Sequence, residues 1–220
     1  MSFSIPASRP SIFLALASSM DRVRARWRVA RPRTRETETH APDDATLAAK
    51  HLAGDPHAFA ELVKRYTRAV YHVTYRFTNN AADAENLTQE TFLRAWNALP
   101  RLALDKPLKP YFVKIAVNLC RDWAARNRVE LTPLDADDET IFAADAHDPL
   151  QTVSDQELRA RVRAKLELLP PLYRTVIALR YGEEMAYEEM ATALEMPLNT
   201  VRTHLHRAKA RLRELLEQDE

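Results

Sequence analysis

LPPLYRTVIALRYGEEMAYEEMATALEMPLNTVRTHLHRAKARLREL, residues 169–215, is the stretch that decides the fold. Tyr187 to Leu194 reads as a short helix with Met190 and Leu194 turned inward, and Glu195-Met196-Pro197-Leu198 reads as a turn. Asn199 or Thr200 is the expected cap of a second helix, whose Val201, Leu205, Ala208 and Leu212 form an apolar stripe at helical spacing. A small residue, Ala191, stands where the two helices would cross, and the β-branched Val201 lies inside the second. This is helix–turn–helix spacing. The outward face of the second helix carries Arg202, Thr203, His206 and Arg207, with Lys209, Arg211 and Arg213 beyond. Early residues of a recognition helix face base edges, and later basic ones reach phosphates. Arg pairs bidentately with guanine, and the Thr methyl packs on thymine. An ordinary helical hairpin with a solvated basic face fits the same pattern, so this stretch alone leaves two readings open. Turns of this type usually hold glycine where this chain has Glu195. A left-handed backbone there costs Glu about 1 kcal/mol relative to Gly.

Working outward, Leu158, Val162, Leu166 and Leu169 mark a helix over 154–169. Pro170-Pro171 interrupts it and restarts a helix through Leu172, Val176, Ile177 and Leu179, with Gly182 as the expected C-terminal cap. Residues 129–153 contain Pro133 and Pro149, show no sustained period and read as a linker. The span 130–157 holds nine acids and no Lys or Arg. Before it, Asp55-Pro56 reads as an N-cap and first turn, and Phe59, Leu62, Val63, Tyr66, Val70, Val73 and Phe77 recur at helical spacing. Asn79-Asn80 breaks that helix, and Asn80 caps the next, which ends near Leu99. Pro100, Pro107 and Pro110 make residues 100–110 a loop. Tyr111 to Arg128 is a further helix with Phe112, Ile115, Ala116, Leu119 and Trp123 on one face. The expectation is therefore all-α: a bundle over 43–128, a flexible acidic linker over 129–153, and a helix–turn–helix domain over 154–220. Residues 1–42, with eight arginines and one acid by position 35, read as a disordered Arg-rich arm, and Met20 is an alternative start.

Composition narrows the function. Two glycines, Gly54 and Gly182, are too few for the many tight turns of a β-sandwich or barrel. One cysteine, Cys120, excludes an internal disulfide and a multi-cysteine zinc site. The net charge of +1 hides segregation into the basic arm, the acidic linker and the basic run 202–213. No apolar run approaches the about 20 residues of a membrane span, and Ile12 to Ala17 is too short for a confident signal-peptide core. His204 and His206 are two residues apart, on different helix faces, with no acid or cysteine to complete a metal shell. No Gly-rich phosphate loop, H-E-x-x-H pair or Ser–His–Asp arrangement is present. An enzyme is thereby disfavoured.

The 169–215 stretch resembles the −35-binding domain of extracytoplasmic-function sigma factors of the sigma-70 family. DAENLTQETFLRAW (83–96) resembles that family's core-polymerase-binding helix, and YFVKIAVNLCRDW (111–123) its −10-binding helix. The likeness covers about 45–215. It implies that Asn86, Gln89 and Glu90 dock on the polymerase β′ clamp helices, as their i, i+3, i+4 spacing allows. It implies that Asn118 lines a pocket for a flipped −10 base, and that Lys114, Arg121, Arg126 and Arg128 hold phosphates of the melted strand. It implies that Asn199, Thr200, Arg202, Thr203, His206, Arg207, Lys209 and Arg211 meet the −35 element. The implied partners are core RNA polymerase, through the β′ clamp helices and the β flap, promoter DNA and an anti-sigma factor. No cofactor, metal or small-molecule substrate is implied. The implied location is the cytoplasm, or the inner membrane through the anti-sigma factor. Leu87, Thr91, Trp96 and Leu99 are expected in the core, and so is Trp123. The rival reading is an autonomous helix–turn–helix regulator, which accounts for 187–212 but not for the two upstream helices. Binding to core polymerase separates the two.

Overall fold

The structure, a computed structural model, describes residues 42–55, 57–102, 107–131 and 156–218. The arm over 1–41 and most of the acidic linker lie outside the described residues. Among the described residues the chain is helical, with no strand.

Helix α1, Asp44–Leu52, was not foreseen as a separate element. Asp43 caps it by accepting from the Thr46 amide at 2.7 Å, and only Leu47 and Ala48 are buried on it. Arg65 ties it down, donating to Asp44 at 2.6 Å and to the Pro42 carbonyl at 2.7 Å, and the Tyr66 hydroxyl also bonds Asp44. Helix α2, Ala58–Thr78, follows the foreseen apolar stripe. Asp55 accepts from the His57 amide at 2.8 Å, so it holds the turn before the helix, and His57 is the N-cap. Asn79 takes the left-handed conformation (φ 53°) and ends α2. Asn80 then caps α3, Ala81–Ala98, by accepting from Ala82 and Asp83 at 2.9 and 3.1 Å. One 3₁₀ turn, Leu99–Arg101, follows. Helix α4, Leu108–Asn127, starts three residues earlier than expected and ends at left-handed Arg128. Phe59, Leu62, Phe92, Leu99 and Phe112 form the centre of this bundle, each 0% exposed. As expected, Leu87, Thr91 and Leu99 are buried, while Trp96 and Trp123 are partly so at the core's edge.

Helices α5 (Gln156–Glu167), α6 (Pro171–Ile177), α7 (Tyr187–Leu194) and α8 (Leu198–Glu217) form the second half. α6 runs on into one π turn, Ala178–Gly182. Gly182 is not the left-handed cap expected of it. Its φ is not positive; a Cβ there would overlap the His72 ring of α2, so its role is close approach. Glu184 carries the left-handed angle instead (φ 53°). The caps expected of Asn199 and Thr200 are also corrected. Pro197 is the N-cap of α8, and both residues lie inside its first turn. Proline serves there because the first helical amides lack intrahelical acceptors anyway.

The two halves pack on each other. Val73 of α2 and Val113 and Val117 of α4 belong to one apolar cluster with Val176, Leu179, Met190, Leu194, Val201 and Leu205. Those three valines are 0–1% exposed, and full burial of each is worth about 1.5–2 kcal/mol. The first linker residues are held too: Val129 and Leu131 pack beside Phe77 and Leu119, and Leu131 accepts from the Leu172 amide at 3.3 Å.

Candidate nucleic-acid and polymerase interface

Three helices carry the candidate residues. On α3 the inward side is Ala84, Leu87, Thr88, Thr91 and Phe92. The opposite side exposes Asn86 and Gln89, and Glu90 lies beside them with its carboxylate 2.9 Å from Arg94 Nε. The three thus share one outward face, and the exposed Glu90–Arg94 pair is weak enough to give way to a partner.

On α4, Phe112, Val113, Ala116 and Val117 point inward, so Lys114, Asn118 and Arg121 emerge together at i, i+4 and i+7. All three meet the helix–turn–helix. Lys114 Nζ lies 2.8 Å from Glu195 Oε1. Asn118 Nδ2 donates to Glu195 Oε2 at 2.8 Å. Arg121 donates to the Leu194 carbonyl at 2.6 Å and to Asn118 Oδ1 at 3.3 Å. The bond from Lys114, then that from Asn118, holds the Glu195 carboxyl below its ordinary range. Arg126 and Arg128 are exposed at the far end of α4, outside this contact.

In the helix–turn–helix, Glu195 is left-handed (φ 53°, ψ 45°), the conformation expected of the turn. Glu189 locks the start of α7 by accepting from the Ala186 amide at 2.8 Å. Met190, Leu194, Val201, Leu205, Ala208 and Leu212 are buried as expected. Asn199, Arg202 and Arg211 are exposed, and Thr200, Thr203, His206, Arg207 and Lys209 are half-buried on the same helix. The Thr203 hydroxyl donates back to the Asn199 carbonyl at 3.0 Å. Arg202 rests 5.7 Å over the Tyr187 ring, a cation–π contact that preorganises an exposed guanidinium. His204 is turned inward against Tyr173, and burial, then Arg207, lowers its pKa. Among the described residues no group of three His, Cys, Asp or Glu forms a metal site.

Four residues that sequence reasoning passed over join the halves. Arg174, 8% exposed, donates to the Arg76 and Phe77 carbonyls at 2.6 and 2.9 Å, and to those of Glu167 and Leu169 at 3.0 and 2.8 Å. It therefore satisfies carbonyls at the C-terminal end of α2, which a helix leaves open. Glu183 meets His72 Nδ1 at 3.1 Å and Lys109 Nζ at 3.4 Å. Burial opposes ionisation of Glu183, but the His72 and Lys109 bonds outweigh it and its pKa falls. The one available signal was a charged residue inside the apolar run 171–179.

Residues 62–129 match the family described as Sigma-70 region 2, and residues 159–212 the one described as Sigma-70, region 4. The chain is 34% identical over 157 residues to the ECF RNA polymerase sigma factor SigE of Mycolicibacterium smegmatis, covering 71% of this chain and 60% of that one. It is 32% identical over 171 residues to the ECF RNA polymerase sigma factor SigW of Bacillus subtilis, covering 74% and 91%. The fold is similar to CnrH, solved in complex with the cytosolic domain of CnrY, with TM-score 0.58, 27% identity, and 80% and 99% of the two chains covered. It is also like the sigma factor RpoE of Bartonella quintana, with TM-score 0.54, 22% identity and 74% and 99% covered. Two family segments in this order, on the helices that carry the polar faces, show that the chain belongs to the extracytoplasmic-function RNA polymerase sigma factors of the sigma-70 family, transcription-initiation subunits rather than enzymes.

Proposed function

We propose that this sigma factor joins core RNA polymerase through α3, reads the −35 element with α8, and captures melted −10 DNA on α4. The observation that carries the reading is the division of polar faces: each of these helices has one polar face set on an apolar back that fixes its direction, that of α4 lying against the turn of the helix–turn–helix. Asn86, Gln89 and Glu90 are the docking residues on the β′ clamp helices, and the helix–turn–helix domain meets the β flap. Arg202 and Thr203 face base edges, with Asn199, Thr200 and His206 beside them, while Arg207, Lys209 and Arg211 reach phosphates. Asn118 offers both a donor and an acceptor to an unstacked base, and Lys114, Arg121, Arg126 and Arg128 bind the strand around it. The domains assigned are 43–128 for polymerase and −10 binding and 154–220 for −35 binding.

We propose an anti-sigma protein as a further partner; the similar CnrH was solved with a protein domain bound. No helix among the described residues is long and apolar enough to cross a membrane. The proposed location is the cytoplasm, or the inner membrane through that partner. Run-off transcription with core polymerase over a promoter library tests the whole: specific transcripts appear only with the chain present, and Gln89→Ala with Glu90→Ala abolishes them while helical content is kept. Sequence-specific binding to duplex DNA with no affinity for core polymerase would establish the autonomous regulator instead.

A further inference from the structure

Residues 22–35 carry seven arginines and no acid, and none of the polymerase or promoter assignments uses them. Arginine occupies every second position from Arg22 to Arg28 and again from Arg31 to Arg35. Either methionine start, Met1 or Met20, keeps the run. At helical spacing these arginines spread around the axis, and Val23, Ala25, Trp27 and Val29 share no apolar face. That excludes the amphipathic helix by which basic segments lie on lipid. At extended spacing the arginines of each run line one edge about 6.6 Å apart, with their neighbours on the other. This is close to the separation of successive phosphates along a nucleic-acid strand.

The run lies outside the described residues, but its point of attachment does not. Arg65 donates to the Pro42 carbonyl at 2.7 Å and to Asp44 at 2.6 Å, and Asp43 caps α1. Beside this anchor the Tyr66 ring lies 5.1 Å from that of Phe112 on α4, the helix assigned to the −10 strand. Seven residue steps join Arg35 to Pro42. They span at most about 25 Å of chain. The arginines are thus tethered within reach of DNA held on α4, at a high effective concentration.

We propose that residues 22–35 form a sequence-independent arm that grips the phosphate backbone of the promoter duplex beside the −10 element, each run laying its arginine edge along a strand. This rests on the DNA assignments under Proposed function. Arginine suits the task, because it stays charged and meets phosphate oxygens in pairs. Such contacts add affinity for every promoter alike and leave the choice of sequence to α8 and α4.

The test measures binding of the full chain, without polymerase, to a fluorescent duplex of about 30 base pairs and random sequence, between about 50 and 200 mM salt. Arg22→Ala, Arg24→Ala, Arg26→Ala and Arg28→Ala together remove up to four phosphate contacts. At about 0.9 per phosphate, the slope of log affinity against log salt should fall by about 3–4. The natural chain's advantage over this variant should shrink about 100-fold across that salt range. Lysine at the same four positions should keep the slope within about one, and the melting point should be the same in all three proteins. Val23→Arg with Arg24→Val, and Trp27→Arg with Arg28→Trp, keep the charge but break the row, and should lower the slope by about 1–2. A slope unchanged in the alanine variant or in the rearranged one overturns the proposal, and so does a lysine variant that behaves like the alanine one. Tighter duplex binding by the alanine variant also overturns it and places the arm on the acidic span 130–157 instead. A larger loss of affinity for single-stranded RNA of the same length, or for vesicles containing phosphatidylglycerol, overturns it as well. Failure of the polymerase reading would show in run-off transcription by the natural chain and leave these slopes as they are.

Discussion

Arg174→Met tests how strongly the two halves are joined. Methionine keeps most of the aliphatic length of arginine, so the substitution removes the guanidinium without opening a large cavity. The guanidinium donates four bonds of 2.6–3.0 Å, to the carbonyls of Arg76, Phe77, Glu167 and Leu169. Hydrogen bonds to a charged group are worth about 1.5–3 kcal/mol net. The carbonyls keep a second lone pair, and some regain water once the donor is gone. Counting two of the four as lost gives about 3–6 kcal/mol. For a chain of this length each kcal/mol moves Tm by about 2–4 °C, so the melting point should fall by about 6–24 °C. Burial lowers the Arg174 pKa, with Arg76 adding to it, but an arginine stays charged across the neutral range, so the loss should not depend on pH between about 6 and 8. Differential scanning calorimetry should show one transition for the natural chain and two for the variant, as the halves uncouple. Arg174→Lys should recover less than half of the loss, because an ammonium cannot span carbonyls on two helices. A melting point within 2 °C of the natural chain for Arg174→Met would refute the reasoning.

Further outcomes concern DNA and the remaining interdomain contacts. Arg202→Ala should cost about 1–3 kcal/mol and relax preference at one or two −35 positions, whereas Lys209→Ala should weaken all promoters alike and lower the salt slope by about one, both read from holoenzyme binding to a randomised −35 library. Asn118→Ala should slow promoter opening more than it weakens the closed complex, checked by permanganate footprints, because a flipped base is available only after unstacking. Gly182→Ala places a methyl against the His72 ring and should destabilise by about 1–3 kcal/mol in urea, the ring being held by Glu183. His204 is lowered from 6.5 by burial and by Arg207, so the folded state binds fewer protons than the unfolded one. Its contribution is complete above about 6.5 and lost as pH falls through the depressed value. The urea midpoint should therefore drop on acidification from about pH 7.5 to 5.5, and His204→Phe should flatten that drop.

Helix periodicity made most of the fold legible. The stripes through Phe59 to Phe77 and Val201 to Leu212 lie where they were placed, because a period of 3.6 reports burial directly. The ends were less legible. Asp55 and Asn199 look like caps, yet His57 and Pro197 hold those positions, since capping depends on where the chain enters the first turn and several neighbouring residues can supply it. α1 escaped notice because only Leu47 and Ala48 are buried on it, too few to show a period. The outward faces of α3 and α8 were readable because each is the polar complement of an apolar stripe.

What periodicity cannot show is which surface covers a buried residue. Val73, Val113 and Val117 look like bundle core, and each is buried, but their cluster includes residues of the helix–turn–helix domain more than 50 positions away. The same blindness hid the partners of Lys114, Asn118 and Arg121, for which the family resemblance alone implies DNA. One local irregularity did register in advance: a glutamate where the turn favours glycine. Backbone strain of about 1 kcal/mol at a position that any glycine would relieve calls for a compensating contact. Here the compensation is formed with the other domain, by two hydrogen-bonded partners on α4. A residue that breaks the rule of its own turn is thus the place where a single sequence signals a tertiary contact, and at Glu195 that contact falls on the face assigned to the −10 strand.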